Sequence, residues 1–219
     1  MTTLVIGAHG QVGQRIVQQL AATGETVFGG IRNAEQAATI DKLGGQARMF
    51  DLMGSADAMV PAMHGIDTVV FSAGSGGSTG DDMTLNIDLD GAIKAIIATE
   101  EAHIQRFIIV SAMGTDDREF WANSSIRPYY VAKYYADQWL QHRTNLAYTI
   151  VRPGILTDDE PTGKIALNPE KTDNTRITRA DVAATVTAVV RHPLPHQIIT
   201  LVNGETPIET AVQQAAALQ

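Results

Sequence analysis

The chain has 219 residues, with 24 acidic against 16 basic side chains for a formal charge of −8, 44% hydrophobic composition and no cysteine. That length and apolar content suit a single domain with one well-buried core. The missing cysteines exclude disulfides, thiolate metal sites and cysteine nucleophiles, and the acidic balance argues against a nucleic-acid partner. The opening MTTLVIGAHG lacks the basic region and long apolar run of a secretory signal. No apolar run approaches the ~20 residues that a bilayer demands, so a soluble, cytoplasmic protein without a membrane partner is expected.

TLVIGA reads as the first strand, followed by a helix over 11–22. Between them lies Gly7-Ala8-His9-Gly10-Gln11-Val12-Gly13, a GxxGxxG pattern. A backbone without side chains turns sharply off the strand there and lets a pyrophosphate approach the N–H groups of the helix start. Gly13 lets the helix sit close to the strand. The strand–glycine–helix context identifies Gly7, His9, Gly10, Gln11, Val12 and Gly13 as a dinucleotide cradle.

ETVFGGI, the second strand, ends at Arg32 and Asn33. An acidic residue at that point accepts from the free 2′-hydroxyl of NAD, whereas the guanidinium of Arg32 suits a 2′-phosphate. NADP is therefore the expected cofactor, with NAD as the alternative. A helix over 34–43 precedes ARMFDL, the third strand, whose Asp51 is placed to accept from an adenine amino group, next to Leu52. DTVVFSA, the fourth strand, closes on Ser72-Ala73-Gly74, small residues that leave room for adenosine and ribose. The glycine-rich stretch 74–82 then leads into a long helix over 83–102, where Gly91 permits close packing.

RFIIVSA, the fifth strand, ends at Ser111, and a helix over 129–143 opens with Tyr129-Tyr130-Val131-Ala132-Lys133. Residues i and i+4 share a helix face, so Tyr129 and Lys133 stand one above the other. An adjacent ammonium favours the phenolate and lowers the tyrosine pKa from its ordinary ~10. Another reading gives Lys133 to Asp137, four residues on, as a surface ion pair. AYTIVRPG, the sixth strand, delivers Arg152, Pro153 and Gly154 with Ile155 behind them, and the polar segment 156–178 follows as an irregular loop. A helix over 179–191 and a last strand, QIITLVNG, complete the order. Alternation of strands and helices, with strands apolar at consecutive positions, predicts a single α/β domain over 1–219 with a doubly wound parallel sheet, helices on both faces and a reduced C-terminal substrate region. Loops after the strand C-termini line the crevice of such a sheet, which makes 74–82 and 156–178 the candidate substrate-side loops. The six histidines are scattered, and no metal site is expected.

GAHGQVG, IRN, FDL, FSAG, RFIIVSAMG, YYVAK, VRPGILTD and ITRADVA, in this order along nearly the whole chain, resemble the atypical members of the short-chain dehydrogenase/reductase superfamily. The resemblance implies a Rossmann-type sheet, a nicotinamide cofactor and a small-molecule substrate. It implies that Tyr129 is the general acid, that Lys133 holds the nicotinamide ribose, and that Ser111 holds the substrate oxygen. In many relatives that hydroxyl stands one or two places later, where this chain has Ala112 and Met113, with Thr115 as a substitute if the loop curls back. Pro153, Gly154 and Ile155 pack against the nicotinamide by the same resemblance, and the helices after strands four and five form a homodimer face. Three functions are compatible: NADPH-dependent reduction of a small carbonyl or other hydride acceptor, as in the flavin and biliverdin reductases; a sugar-nucleotide epimerase or dehydratase activity; and a non-catalytic NADP-binding redox sensor.

Overall fold

The structure, a computed structural model, describes residues 1–77, 79–170 and 175–218. Strand β1 (Thr2–Ile6) leads into helix α1 (Gln11–Ala22), β2 (Thr26–Ile31), a 3₁₀ turn (Ala34–Gln36), α2 (Ala37–Lys42) and β3 (Gln46–Met49). Then come α3 (Ala56–Met59), a 3₁₀ turn (Val60–Met63), β4 (Thr68–Phe71), α4 (Asp81–Met83), a π-helix (Thr84–Gly91), α5 (Ala92–Glu101) and β5 (Arg106–Val110). The second half holds α6 (Arg118–Ala122), α7 (Arg127–Arg143), β6 (Ala147–Pro153), β7 (Ile155–Thr157), β8 (Lys164–Leu167) and β9 (Arg176–Thr178). It closes with α8 (Arg179–Arg191), β10 (Gln197–Asn203), β11 (Thr206–Pro207) and α9 (Ile208–Ala216).

Among the described residues the main sheet has nine strands in the order β11-β8-β10-β6-β5-β4-β1-β2-β3. The seven from β10 to β3 are mutually parallel, and β8 runs antiparallel to β10 and β11. The order reverses direction between β1 and β4. In open α/β sheets the ligand crevice lies at such a switch point, outside the C-terminal strand ends. All seven strands expected from the sequence are present.

Alternation along each strand explains the consecutive apolar positions. Leu4 and Ile6 point to one face and Val5 to the other; Phe107 and Ile109 share the first face, Ile108 the second. One layer packs them under α5 and α7 through Ile96, Ala136 and Leu140, and the other under α1 and α8 through Ile16, Val17, Val186 and Val189. Each such buried Leu, Ile or Phe is worth about 1.5–3 kcal/mol relative to exposure.

Two expectations change. The segment 156–178 is not an irregular loop throughout: β8 joins the main sheet, while β7 and β9 pair in parallel. These strands are three or four residues long, too short for a period to register in sequence. The helix expected over 83–102 begins at Asp81 and contains an eight-residue π segment. Ser78, in the stretch 74–82, and residues 171–174, in 156–178, lie outside the described residues. Among the described residues no helix is long and apolar enough to cross a membrane, and no group of three or more His, Asp or Glu side chains is placed to hold a metal ion.

Candidate active site

The end of β1 and the start of α1 form a cradle that excludes side chains. Gly7 adopts φ +79°, and a Cβ there would lie 2.6 Å from the Ala73 Cα. A Cβ on Gly13 would lie 2.3 Å from the Gly7 carbonyl oxygen. Gly10, the N-cap of α1, leaves the helix start without a side-chain cap, and no acidic residue stands in the first turn. Free N–H groups at the positive end of a twelve-residue helix suit a diphosphate. His9, Gly10 and Gln11 are exposed on this rim, while Val12 and Gly13 are buried beneath it.

The ends of β2, β3 and β4 hold the residues that the sequence assigns to the adenosine. Arg32 is exposed just past β2, with no side-chain ion pair among the described residues. Its backbone N–H is held by the Gln36 side chain at 3.2 Å, which fixes the turn. Asp51 is exposed, and one of its oxygens accepts from the Met53 N–H at 2.8 Å. Leu52 lies beneath Gly91, where a Cβ would come within 3.3 Å of its own Cβ. Ser72 is tied to β1 through its N–H to the Ile6 carbonyl, while the hydroxyl oxygen of this half-buried residue is itself buried and has no partner among the described residues. Ala73 closes against Gly7. The glycine cradle and the orphaned Ser72 hydroxyl fit a nicotinamide dinucleotide.

Tyr129 and Lys133 open α7 as expected, with the Lys133 Nζ 5.6 Å from the Tyr129 ring centroid. Lys133 is buried and donates to the Val110 carbonyl at 3.3 Å. Its ion-pair partner is Asp88, from the π segment, at 3.1 Å; it is not Asp137. Burial alone would depress the Lys133 ammonium, but Asp88, Tyr129 and Asp137 more than offset it and hold the group above its ordinary value. Burial pushes the Tyr129 phenol up; Lys133 acts the other way, and Asp88, Tyr130 and Asp137 add to the rise. The expected lowering of the tyrosine by its lysine is therefore overridden by desolvation and by the compensating carboxylate.

Ser111 is buried, and its hydroxyl donates to Asp137 at 2.9 Å. Asp137 also accepts from Arg152 Nε at 3.1 Å and pairs with its Nη2 at 3.0 Å, while Arg152 Nη1 reaches the exposed Asp116 at 2.7 Å. Burial raises Asp137 to about 6, against the lowering by Arg152, Ser111 and Lys133. Thr115 is not a substitute hydroxyl: it is buried, bonded to the Ala112 carbonyl, and its own carbonyl accepts from the Trp121 indole at 3.0 Å. Pro153 and Gly154 are buried at the end of β6, where Pro153 accepts from the Met113 N–H at 2.9 Å and a Cβ on Gly154 would meet the Thr175 carbonyl. Ile155 is 62% exposed at the crevice edge.

Sequence reasoning missed Asp88 as the partner of Lys133 and gave Asp137 to Lys133 rather than to Arg152. A charged Arg152 inside an otherwise apolar central strand was the available signal, because a buried guanidinium demands a carboxylate.

Residues 7–193 match the family model described as NAD(P)H-binding. The chain is 41% identical to the Bacillus subtilis protein named uncharacterized sugar epimerase YhfK, over 98% of this chain and 100% of that one. The Lactococcus lactis oxidoreductase ylbE superposes with a TM-score of 0.89 at 33% identity, covering 98% of this chain and 96% of that one. ChuY from Escherichia coli O157:H7, described as an anaerobillin reductase, gives 0.76 at 27% identity, covering 94% and 98%. The chain thus belongs to the NAD(P)H-binding family that this model describes.

Proposed function

We propose that this protein is an NADPH-dependent oxidoreductase that reduces a small carbonyl compound or a comparable hydride acceptor. The observation that carries this reading is Tyr129 standing over a buried Lys133, their ring-to-ammonium distance 5.6 Å, on α7, the helix that precedes β6. Gly7, Gly10 and Gly13 would hold the diphosphate and Ser72 a ribose hydroxyl. The exposed Arg32 would take a 2′-phosphate, which favours NADPH over NADH. The cofactor, when bound, supplies a hydride.

The chain's own groups manage the proton. Tyr129 gives its phenolic proton to the oxygen of the acceptor; a phenol of ordinary pKa ~10 already holds that proton at neutral pH, and the upward shift widens the margin. Lys133 donates to the Val110 carbonyl, pairs as an ion with Asp88 and retains donor capacity for a ribose hydroxyl. Ser111 directs its own proton to Asp137 and acts from below the site.

Purified protein is expected to oxidise NADPH in the presence of a carbonyl acceptor. Tyr129→Phe is expected to lose about 10²–10⁴-fold in turnover, the usual worth of a positioned general acid, while still binding cofactor. Unchanged turnover in that variant would overturn the reading. The commitment of Ser111 to Asp137 favours a second reading, an NADP-binding redox sensor, for which Tyr129→Phe leaves partner binding intact. Interconversion of a nucleotide sugar without net cofactor consumption would instead support the epimerase name carried by the Bacillus subtilis relative.

A further inference from the structure

We propose that Asp88 is a positioning residue that cancels the charge of Lys133, so that Tyr129 remains a neutral proton donor and the site is biased toward reduction. This rests on the reductase reading above.

The pair is enclosed: the Lys133 side chain is 4% exposed and that of Asp88 1%, with Oδ1 and Nζ 3.1 Å apart. Asp88 is also fixed in place. Its Oδ2 accepts from the Ser75 N–H at 2.9 Å, Ser75 and Thr84 join hydroxyls at 3.2 Å, and a Cβ on Gly74 would lie 3.1 Å from Oδ1. The carboxylate is thereby clamped between the strand-four loop and the ammonium.

The remaining charges around Tyr129 balance separately. Tyr130 and Asp137 face it from α7, and Arg152 from β6 neutralises Asp137 at 3.0 Å. Asp116, on the segment after β5, meets Arg152 from the solvent side. Lys133 is then left with Asp88 as its counter-charge. An ammonium alone at this range favours the phenolate; an ammonium paired at hydrogen-bond distance presents little net charge, and desolvation decides. The upward displacement of Tyr129 agrees with that balance. A phenol that stays protonated can deliver a proton to a carbonyl oxygen, whereas alcohol oxidation requires the phenolate to accept one, so the reverse direction waits for higher pH.

The test follows phenolate absorbance during alkaline titration of cofactor-free protein, with the Tyr129 contribution isolated by subtracting Tyr129→Phe. Asp88→Asn is expected to move the Tyr129 midpoint down by about one to three pH units, the range for one uncompensated neighbouring charge. The double variant Asp88→Asn/Lys133→Gln, which removes both charges, is expected to return it toward the wild-type midpoint. Where Asp88→Asn alone does not fold, Lys133→Gln compared with the double variant reads the same effect, with the single variant titrating higher. In turnover, Asp88→Asn should shift the alkaline limb of the reductase pH profile downward and raise alcohol oxidation near neutrality. A midpoint indifferent to Asp88 in both backgrounds overturns the proposal. A shifted midpoint in a protein that reduces no carbonyl would leave the coupling standing and remove the reductase reading alone.

Discussion

Ser111 and Asp137 meet across 2.9 Å in the interior, the serine hydroxyl donating to a carboxylate that Arg152 grips from the other side. Because the hydroxyl proton is committed there, Ser111→Ala is expected to keep turnover within about tenfold of wild type, far less damage than Tyr129→Phe. It should cost about 1.5–3 kcal/mol in stability, the worth of a hydrogen bond to a charged partner, measured by urea unfolding. A loss of turnover matching that of Tyr129→Phe would return Ser111 to direct contact with substrate.

The same carboxylate gives the fold a pH dependence. Asp137 lies at about 6 in the folded protein against an ordinary 3.8. Below the lower value both folded and unfolded chains hold the proton; between the two, only the folded chain does. The stabilising contribution is therefore complete at low pH and lost as pH rises through about 6. The difference of roughly two pKa units amounts to something on the order of 3 kcal/mol. Unfolding of wild type and Asp137→Asn in urea across that window should show the wild type losing ground with rising pH, whereas parallel curves would contradict the assignment.

Gly13→Ala should be severe for binding and for folding. The new methyl would lie 2.3 Å from the Gly7 carbonyl oxygen and 2.9 Å from the Ala8 Cα, both backbone atoms. Separation of α1 from β1 should cost about 1–3 kcal/mol and lower NADPH affinity by at least tenfold, read by thermal melting and calorimetry.

Arg32→Ala should weaken NADPH by about 10–100-fold, corresponding to a charge-assisted bond to a phosphate, and leave NADH nearly unchanged. Equal effects on the two cofactors in side-by-side titrations would remove the 2′-phosphate assignment.

Asp181 secures the second half of the chain. It accepts from the Thr162 N–H at 3.0 Å, the Thr162 hydroxyl at 2.9 Å, the Gly163 N–H at 2.9 Å and the Asn203 amide at 2.7 Å. Burial opposes its charge, but those backbone and side-chain donors hold the carboxyl below its ordinary value. Asp181→Ala should cost about 2–4 kcal/mol, since several buried donors lose their acceptor at once, and should raise proteolytic sensitivity at residues 158–163.

The main sheet was legible in the sequence because its central strands are covered on both faces: LVI in β1 and FIIV in β5 are apolar at consecutive positions, which suits a doubly covered parallel strand. The glycine cradle was legible because its backbone geometry admits few other residues. The partners of Lys133 and Arg152 were not. Helical spacing offered Asp137 to Lys133, yet helix adjacency says nothing of what another segment brings to the same ammonium. Asp88 was hidden further by its own helix, for a reading at α periodicity has no way to register an i→i+5 stretch. The donors that residues 162, 163 and 203 bring to Asp181 likewise carry no local signature in the sequence.

That π stretch makes the pairing of Asp88 with Lys133 sensitive to chain length. Wide turns of this kind exist because one more residue occupies the helix than α geometry accommodates. Shortening the segment between Thr84 and Ile87 by a single residue would let it relax to the tighter spiral and rotate the following carboxylate away from Lys133. The side chains themselves would be untouched, yet the ammonium would lose its neutralising neighbour. On the reductase reading, insertions and deletions along this helix, rather than substitutions at the tyrosine, would then retune the direction of hydride transfer.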